Sequence, residues 1–193
     1  MSKQAKFNRD DVINKAKNLY WEKGYHGTSM RNLQDVVDMR PGSIYAAFGS
    51  KENLFNEALN CYAQESTEHL ANCMAKEKTT LDGLKHFLRS ITTCNKESTP
   101  SGMCMIVKSI AELTKNDHPD LLSNATHILG RIEVSFCKIF QQAIDNGEID
   151  AAKDPTELAR YFQIQLIGLR TYAQVSHSTN AIENFIDDIF KNL

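Results

Sequence analysis

Proline and glycine are scarce in this chain, four and nine of 193 residues. So few helix breakers permit long helices and argue against a loop-rich fold. Sustained apolar–polar alternation is missing, and no Asn-Gly turn sits between alternating segments, so sheet signals are absent. No apolar run reaches the roughly 18 residues that span a bilayer, and no membrane partner is expected. The opening MSKQAKFNRDD lacks the apolar stretch of a secretory leader, so the cytoplasm is the expected location. The five cysteines, Cys61, Cys73, Cys94, Cys104 and Cys137, are odd in number, widely spaced and without a C-x-x-C pair. A disulfide framework and a structural zinc site are disfavoured; reduced thiols fit better. The six histidines are scattered, with no pair at ligand spacing on a common face. Neither a metal nor a cofactor is expected. No phosphate loop and no set of nucleophile, base and orienting group is visible, which speaks against an enzyme.

What is present is charge asymmetry. Net charge is only −2, but residues 1–51 carry nine Lys/Arg against five Asp/Glu. The other thirteen Lys/Arg face nineteen Asp/Glu over residues 52–193. A basic end on an acidic body can still bind phosphate locally.

The whole chain reads as all-α, about nine helices. Asn8, with Asp10 and Asp11 following, opens the first, and Gly24 closes it. Thr28 is the expected N-cap of the second, with Met30, Leu33, Val36 and Val37 inward. A break over 38–41 leads to a very short third helix over about 41–48, and Ser50 caps a long fourth. Leu81, Leu84, Leu88 and Ile91 mark a fifth. Further helices are expected over about 103–114, 119–146, 155–175 and 179–192. The run Asp154-Pro155-Thr156-Glu157 is a strong start signal.

Three short helices in about 40 residues, two joined tightly, are the makings of a helix-turn-helix. Thr28 and Ser29 place hydroxyls at a helix N-terminus, a ready phosphate site. Pro41 presets the first turn of the third helix, and Gly42 removes a side chain where DNA would approach. Ser43 and Tyr45 offer hydroxyls to phosphates or base edges. Ala46 and Ala47 are small enough for a helix deep in a groove. Lys51, at the start of the fourth helix, is placed for a phosphate. Phe48 is expected to pack inward.

The words KGYHGTSMRNLQDVV (23–37) and PGSIYAAFGSKENLF (41–55) resemble the DNA-binding domain of the TetR family of transcriptional regulators. The resemblance implies a helix-turn-helix domain over 1–50, with the third helix as recognition helix. Residues 51–193 would form a helical sensor and dimerisation domain. The partners it implies are a double-stranded DNA operator, a small-molecule effector and a second copy of the chain. Against the family pattern, Asp38 stands for a turn glycine and can take left-handed geometry at some cost. Arg40 replaces a capping serine and adds a cation that could reach phosphate or guanine.

The stretch PSGMCMIVKSIAEL (100–113) resembles the sixth helix of a TetR branch that senses electrophiles and oxidants through a cysteine. Cys104 holds that position, and Met103 reads as a one-residue insertion before it. A helix N-terminus and Lys108 one turn on would lower its thiol pKa. An apolar effector in a pocket lined by Phe87, Met105, Phe136, Phe140 and Phe162 is the competing expectation. The other four cysteines read as packing. The last two helices have broad apolar faces, and Leu166, Gly168, Leu169, Ile182, Phe185, Ile186 and Ile189 are the expected dimer contacts. A two-fold axis would set two recognition helices about 34 Å apart on a palindrome. The expected function is therefore a dimeric repressor released by a ligand or by thiol modification. The alternatives are a helical interaction module without DNA binding or a cysteine-based enzyme.

Overall fold

A computed structural model of the chain describes residues 7–93, 99–176 and 178–193, and among these are nine α-helices and no strand. Cys94 lies outside the described residues. Helix α1 (Arg9–Lys23) starts where the Asn8 side chain accepts from the amides of Asp10 and Asp11, at 3.0 and 3.3 Å. It ends at Gly24, whose φ of 78° few other residues tolerate. A Cβ there would also lie 2.4 Å from Glu112 Oε2. Helices α2 (Met30–Val37) and α3 (Pro41–Phe48) follow, then α4 (Lys51–Met74), capped by Ser50. The body adds α5 (Thr80–Thr92), α6 (Met105–Glu112), α7 (Pro119–Asp145), α8 (Pro155–Val175) and α9 (Thr179–Lys191).

Two local expectations change. Ser29, not Thr28, caps α2, through a reciprocal box with Asn32. Thr28 is buried and donates to the Gly24 carbonyl at 2.7 Å, closing the acceptor that the end of α1 leaves open. Helix α6 is also shorter than its apolar pattern suggests. Cys104 is its N-cap residue, and Leu113 turns extended because its side chain reaches into the core.

Two cores hold the chain. The first gathers Val12, Ala16, Leu19 and Tyr20 of α1, Leu33 of α2, Ile44 and Phe48 of α3 and Leu54, Phe55 and Leu59 of α4. It does not stop at residue 50: Met105 and Ile106 of α6 and Leu121, Ala125 and Ile128 of α7 belong to it. The second joins the far ends of α4 and α7 to α5, α8 and α9, around Leu84, Leu88, Phe136, Phe140, Phe162 and Ile186. Burying each large side chain contributes about 2–3 kcal/mol. Arg9 pairs with Glu57 and Lys17 with Glu65, each pair 48 residues apart, so α1 and α4 run side by side in the same direction. The basic head is thereby packed on the first half of α4.

Candidate nucleic-acid interface and effector cavity

The head presents one face built by helical period. On α3, Ile44 and Phe48 are four apart and buried, which turns Pro41, Gly42, Ser43, Tyr45 and Ala46 outward. Tyr45 keeps 47% of its surface exposed. A Cβ on Gly42 would meet nothing within 4 Å, so the space above it is open. Between α2 and α3 the chain turns through Asp38, whose φ of 53° and ψ of 47° are the left-handed geometry expected of it. Arg40 precedes α3 without capping it and is exposed. Ser29 is exposed at the start of α2, where the first amides of a helix lack internal partners.

Two expected phosphate contacts are placed differently. The Thr28 hydroxyl is turned inward, as described. Lys51 is half-buried, its ammonium donating to the Tyr25 carbonyl at 2.8 Å and standing 4.0 Å from the Tyr25 ring centre. Burial pulls its pKa down, partly offset by Glu52 and Glu112. The start of α4 is a shared corner between head and body, so a long cation there finds a carbonyl before it finds solvent.

The body contains a cavity of about 460 Å³. Cys104, Phe87 and Phe136 line it as expected. Met105, Phe140 and Phe162 do not: each is at most 1% exposed and locked in a core. Met105 follows Cys104 on the helix and therefore points elsewhere, while Phe140 lies one turn beyond Phe136, against Phe162 with ring centres 5.8 Å apart. Residues not anticipated complete the wall, among them Trp21, Tyr62, Leu166 and Arg170. Arg170 donates to the Gly102 carbonyl at 2.9 Å and to the Tyr62 hydroxyl at 3.0 Å. Burial pushes the Tyr62 phenol up, and the adjoining Cys104 thiol pushes the same way, while Arg170 opposes them. The single cation in the largely apolar run 161–175 was the signal available for Arg170. Lys108, expected to assist Cys104, is turned away and donates to the Trp21 and Glu22 carbonyls at 2.7 and 3.1 Å.

Of the cysteines read as packing, Cys73 is buried, and Cys61 and Cys137 are half-buried near Asn14 and Thr156 respectively. The histidines are not all scattered: His26 and His118, far apart in sequence, meet at Asp117.

On α9, Ile182, Ile186 and Ile189 are buried in the subunit's own second core, as is Leu169 of α8, so these four expected dimer contacts are not available. Leu166 faces the cavity. What α8 and α9 leave exposed is a different stripe: Ile164 at 67%, Tyr172 at 45%, Val175 at 72% and Phe185 at 51%. Gly168 lies on it, and a Cβ added there would meet nothing within 4 Å. The Tyr172 and Phe185 rings meet edge to face at 5.8 Å.

A three-helix head whose short third helix turns one face to solvent, joined to a cavity-bearing helical body, is the architecture of a helix-turn-helix transcriptional regulator. Residues 12–58 match the family described as bacterial regulatory proteins, tetR family, and residues 80–189 match the tetracyclin repressor-like C-terminal domain. The chain belongs to the TetR family. It is 27% identical over 170 residues to the HTH-type transcriptional repressor ComR of Escherichia coli strain K12, covering 87% of this chain and 80% of that protein. Its fold superposes with a TM-score of 0.84 on a cysteine-substituted form of the TetR regulator CifR complexed with 26-bp operator DNA, at 25% identity over 98% of this chain and 97% of that one. Reduced E. coli NemR shares the fold at a TM-score of 0.79 and 18% identity, covering 94% of each chain.

Proposed function

We propose that this protein is a homodimeric repressor that binds a palindromic operator and is released when its cavity is occupied or Cys104 is modified. Arg40, Ser43 and Tyr45 carry the DNA contacts, with Ser29 and the start of α2 on a phosphate. Ala46 can offer a base no more than a methyl contact, so shape and Arg40 supply much of the specificity. The exposed stripe of α8 and α9 forms the dimer interface.

One observation carries the release mechanism: α6 touches the cavity at one end and the head at the other. Cys104 and Ile106 line the cavity, as does Trp21 of α1 itself. The Trp21 indole donates to the Met103 carbonyl at 2.6 Å. Further along α6, Lys108 holds the last carbonyls of α1, and Glu112 accepts from the Tyr25 amide at 2.6 Å. Anything that shifts α6 shifts the end of α1, and with it the recognition helix. The effector class that fits is an apolar molecule with an acceptor for Arg170, or a thiol-reactive one.

Titration of a fluorescent operator fragment, with and without a thiol-reactive compound, tests this. Wild type is expected to bind in a salt-dependent manner and to dissociate on treatment, whereas Cys104→Ser stays bound. A Cys104→Ser protein that dissociates equally would remove the thiol route and leave the ligand route. Equal affinity for operator and random DNA would remove the repressor.

A further inference from the structure

The turn between α1 and α2 and the loop between α6 and α7 belong to head and body, and they meet at one spot. His26 Nε2 lies 3.4 Å from Asp117 Oδ2, and His118 Nε2 lies 3.6 Å from Asp117 Oδ1. One donor atom from each of the three residues lies within 4.8 Å of the other two. Both imidazoles rest on Tyr25, edge to face, with ring centres 5.4 Å (His26) and 4.6 Å (His118) away. Tyr25 is itself immobilised: its hydroxyl donates to Glu52 at 2.7 Å, its amide to Glu112 at 2.6 Å, and its carbonyl accepts from Lys51 at 2.8 Å. A buried residue thus sets the rings, while His26 and Asp117 remain exposed to incoming ions. His118 occupies the N-cap position of α7, where Ser, Thr, Asn or Asp would usually bond the helix, yet it makes no side-chain cap bond. Its ring is turned to the cluster instead.

We propose that His26, Asp117 and His118 form a binding site for a divalent first-row transition metal of the Zn²⁺ type, which staples the head to the sensor body. Two imidazole nitrogens with one carboxylate oxygen suit zinc, copper or nickel and not magnesium or calcium, which take oxygen shells. Donors around tetrahedral zinc with bonds of about 2.0–2.1 Å lie about 3.3–3.4 Å apart. The 3.4 and 3.6 Å His–Asp separations are near that spacing but run to different oxygens of Asp117, so a small rotation of the carboxylate would present one oxygen to both. The remaining adjustment brings the two histidine nitrogens together, and water completes the fourth position. Metal binding itself needs no DNA; its regulatory consequence rests on the operator-binding reading. A staple between the α1–α2 turn and the α6–α7 loop restrains the same joint that α6 moves, so the metal changes operator affinity.

The test uses the full chain, reduced and freed of metal, titrated with Co²⁺ as a spectroscopic probe. One Co²⁺ per protomer is expected, with visible d–d bands, no thiolate charge-transfer band, and displacement by Zn²⁺ but not Mg²⁺. Affinity should fall about tenfold or more in His26→Gln and in His118→Gln and stay unchanged in His127→Gln, which alters an exposed histidine elsewhere on α7. Because these side chains lie outside the cores, circular dichroism should match wild type. Bands that persist in both site variants, thiolate-type bands, or no saturable binding would overturn the site. Operator titration is then repeated with Zn²⁺, with an expected change of about fivefold or more in wild type and none in His118→Gln. Unchanged wild-type affinity overturns the staple. A protein that binds Co²⁺ at these residues but no operator removes the repressor and keeps the metal site. One that binds operator but no metal does the reverse.

Discussion

Tyr45 and Phe48 are three residues apart on one short helix, yet the fold gives them opposite surroundings. Tyr45 is 47% exposed and Phe48 only 4%. Helical period decides this, because Ile44 and Phe48 must share the inward face. Phe48 also lies under the Arg9 guanidinium, 4.7 Å from its ring centre. Tyr45→Ala is expected to weaken operator binding about tenfold, some 1.4 kcal/mol, while unfolding free energy moves by less than about 0.5 kcal/mol. Phe48→Ala should instead cost about 3–4 kcal/mol of stability. Fluorescence anisotropy and urea denaturation on both variants separate the two roles. If Tyr45→Ala loses stability and keeps its affinity, the residue belongs to the core. Thr28 and Lys51 show where residue-level reasoning misleads. Both are chemically able to bind phosphate, but each lies next to a backbone carbonyl of the α1–α2 turn, and that acceptor claims the donor.

At the scale of elements, caps recognised in the sequence account for three helix starts: Asn8, Ser50 and Asp154 all accept from amides within the first turn. The start of α5 needed more than its own sequence. Thr79 accepts from the Asp82 amide, while Glu148, from beyond the end of α7, accepts from the amides of Thr80 and Leu81 at 2.9 Å each. A carboxylate at the positive end of a helix is favourable. Burial pushes the Glu148 carboxyl up, but these amides outweigh it and hold it below the usual range. A depressed folded-state pKa stabilises above the unfolded value of about 4.3 and is lost as pH falls through the folded value. Glu148→Gln should therefore be less stable than wild type at pH 7, on the order of 1 kcal/mol after allowing for solvent screening. The gap should shrink steadily in urea melts taken below about pH 4. A gap independent of pH would mean that shape, not charge, matters at this position.

For the whole molecule, the decisive question is which apolar face of α8 and α9 turns outward. Helix α8 carries Leu158, Phe162, Leu166, Leu169 and Ala173 on one side and Ile164, Gly168, Tyr172 and Val175 on another. The second stripe, extended by Phe185, is a contiguous exposed apolar surface of the kind that marks an interface. Replacing Ile164 and Val175 together by glutamate should convert the dimer to monomer by light scattering. Operator affinity should then fall about a hundredfold or more, since one head reads only half a palindrome. Helix content should stay the same, because neither side chain enters a core. A double variant that remains dimeric would place the interface elsewhere.

The sequence alone determined the all-α class, the short third helix at Pro41–Phe48, the left-handed turn at Asp38 and the family. These are local properties: caps, breakers and helical period act over a few residues, and a motif of fixed spacing records them directly. Only the tertiary structure decided which aromatics are core and which line the cavity, since one turn separates Phe136 from Phe140. It also turned Lys108 away from Cys104, chose the outward stripe of α8, and brought His26 to Asp117 and His118. Hydrophobicity drives a side chain out of water without naming its neighbour. Contacts between residues some ninety positions apart depend on how whole helices pack.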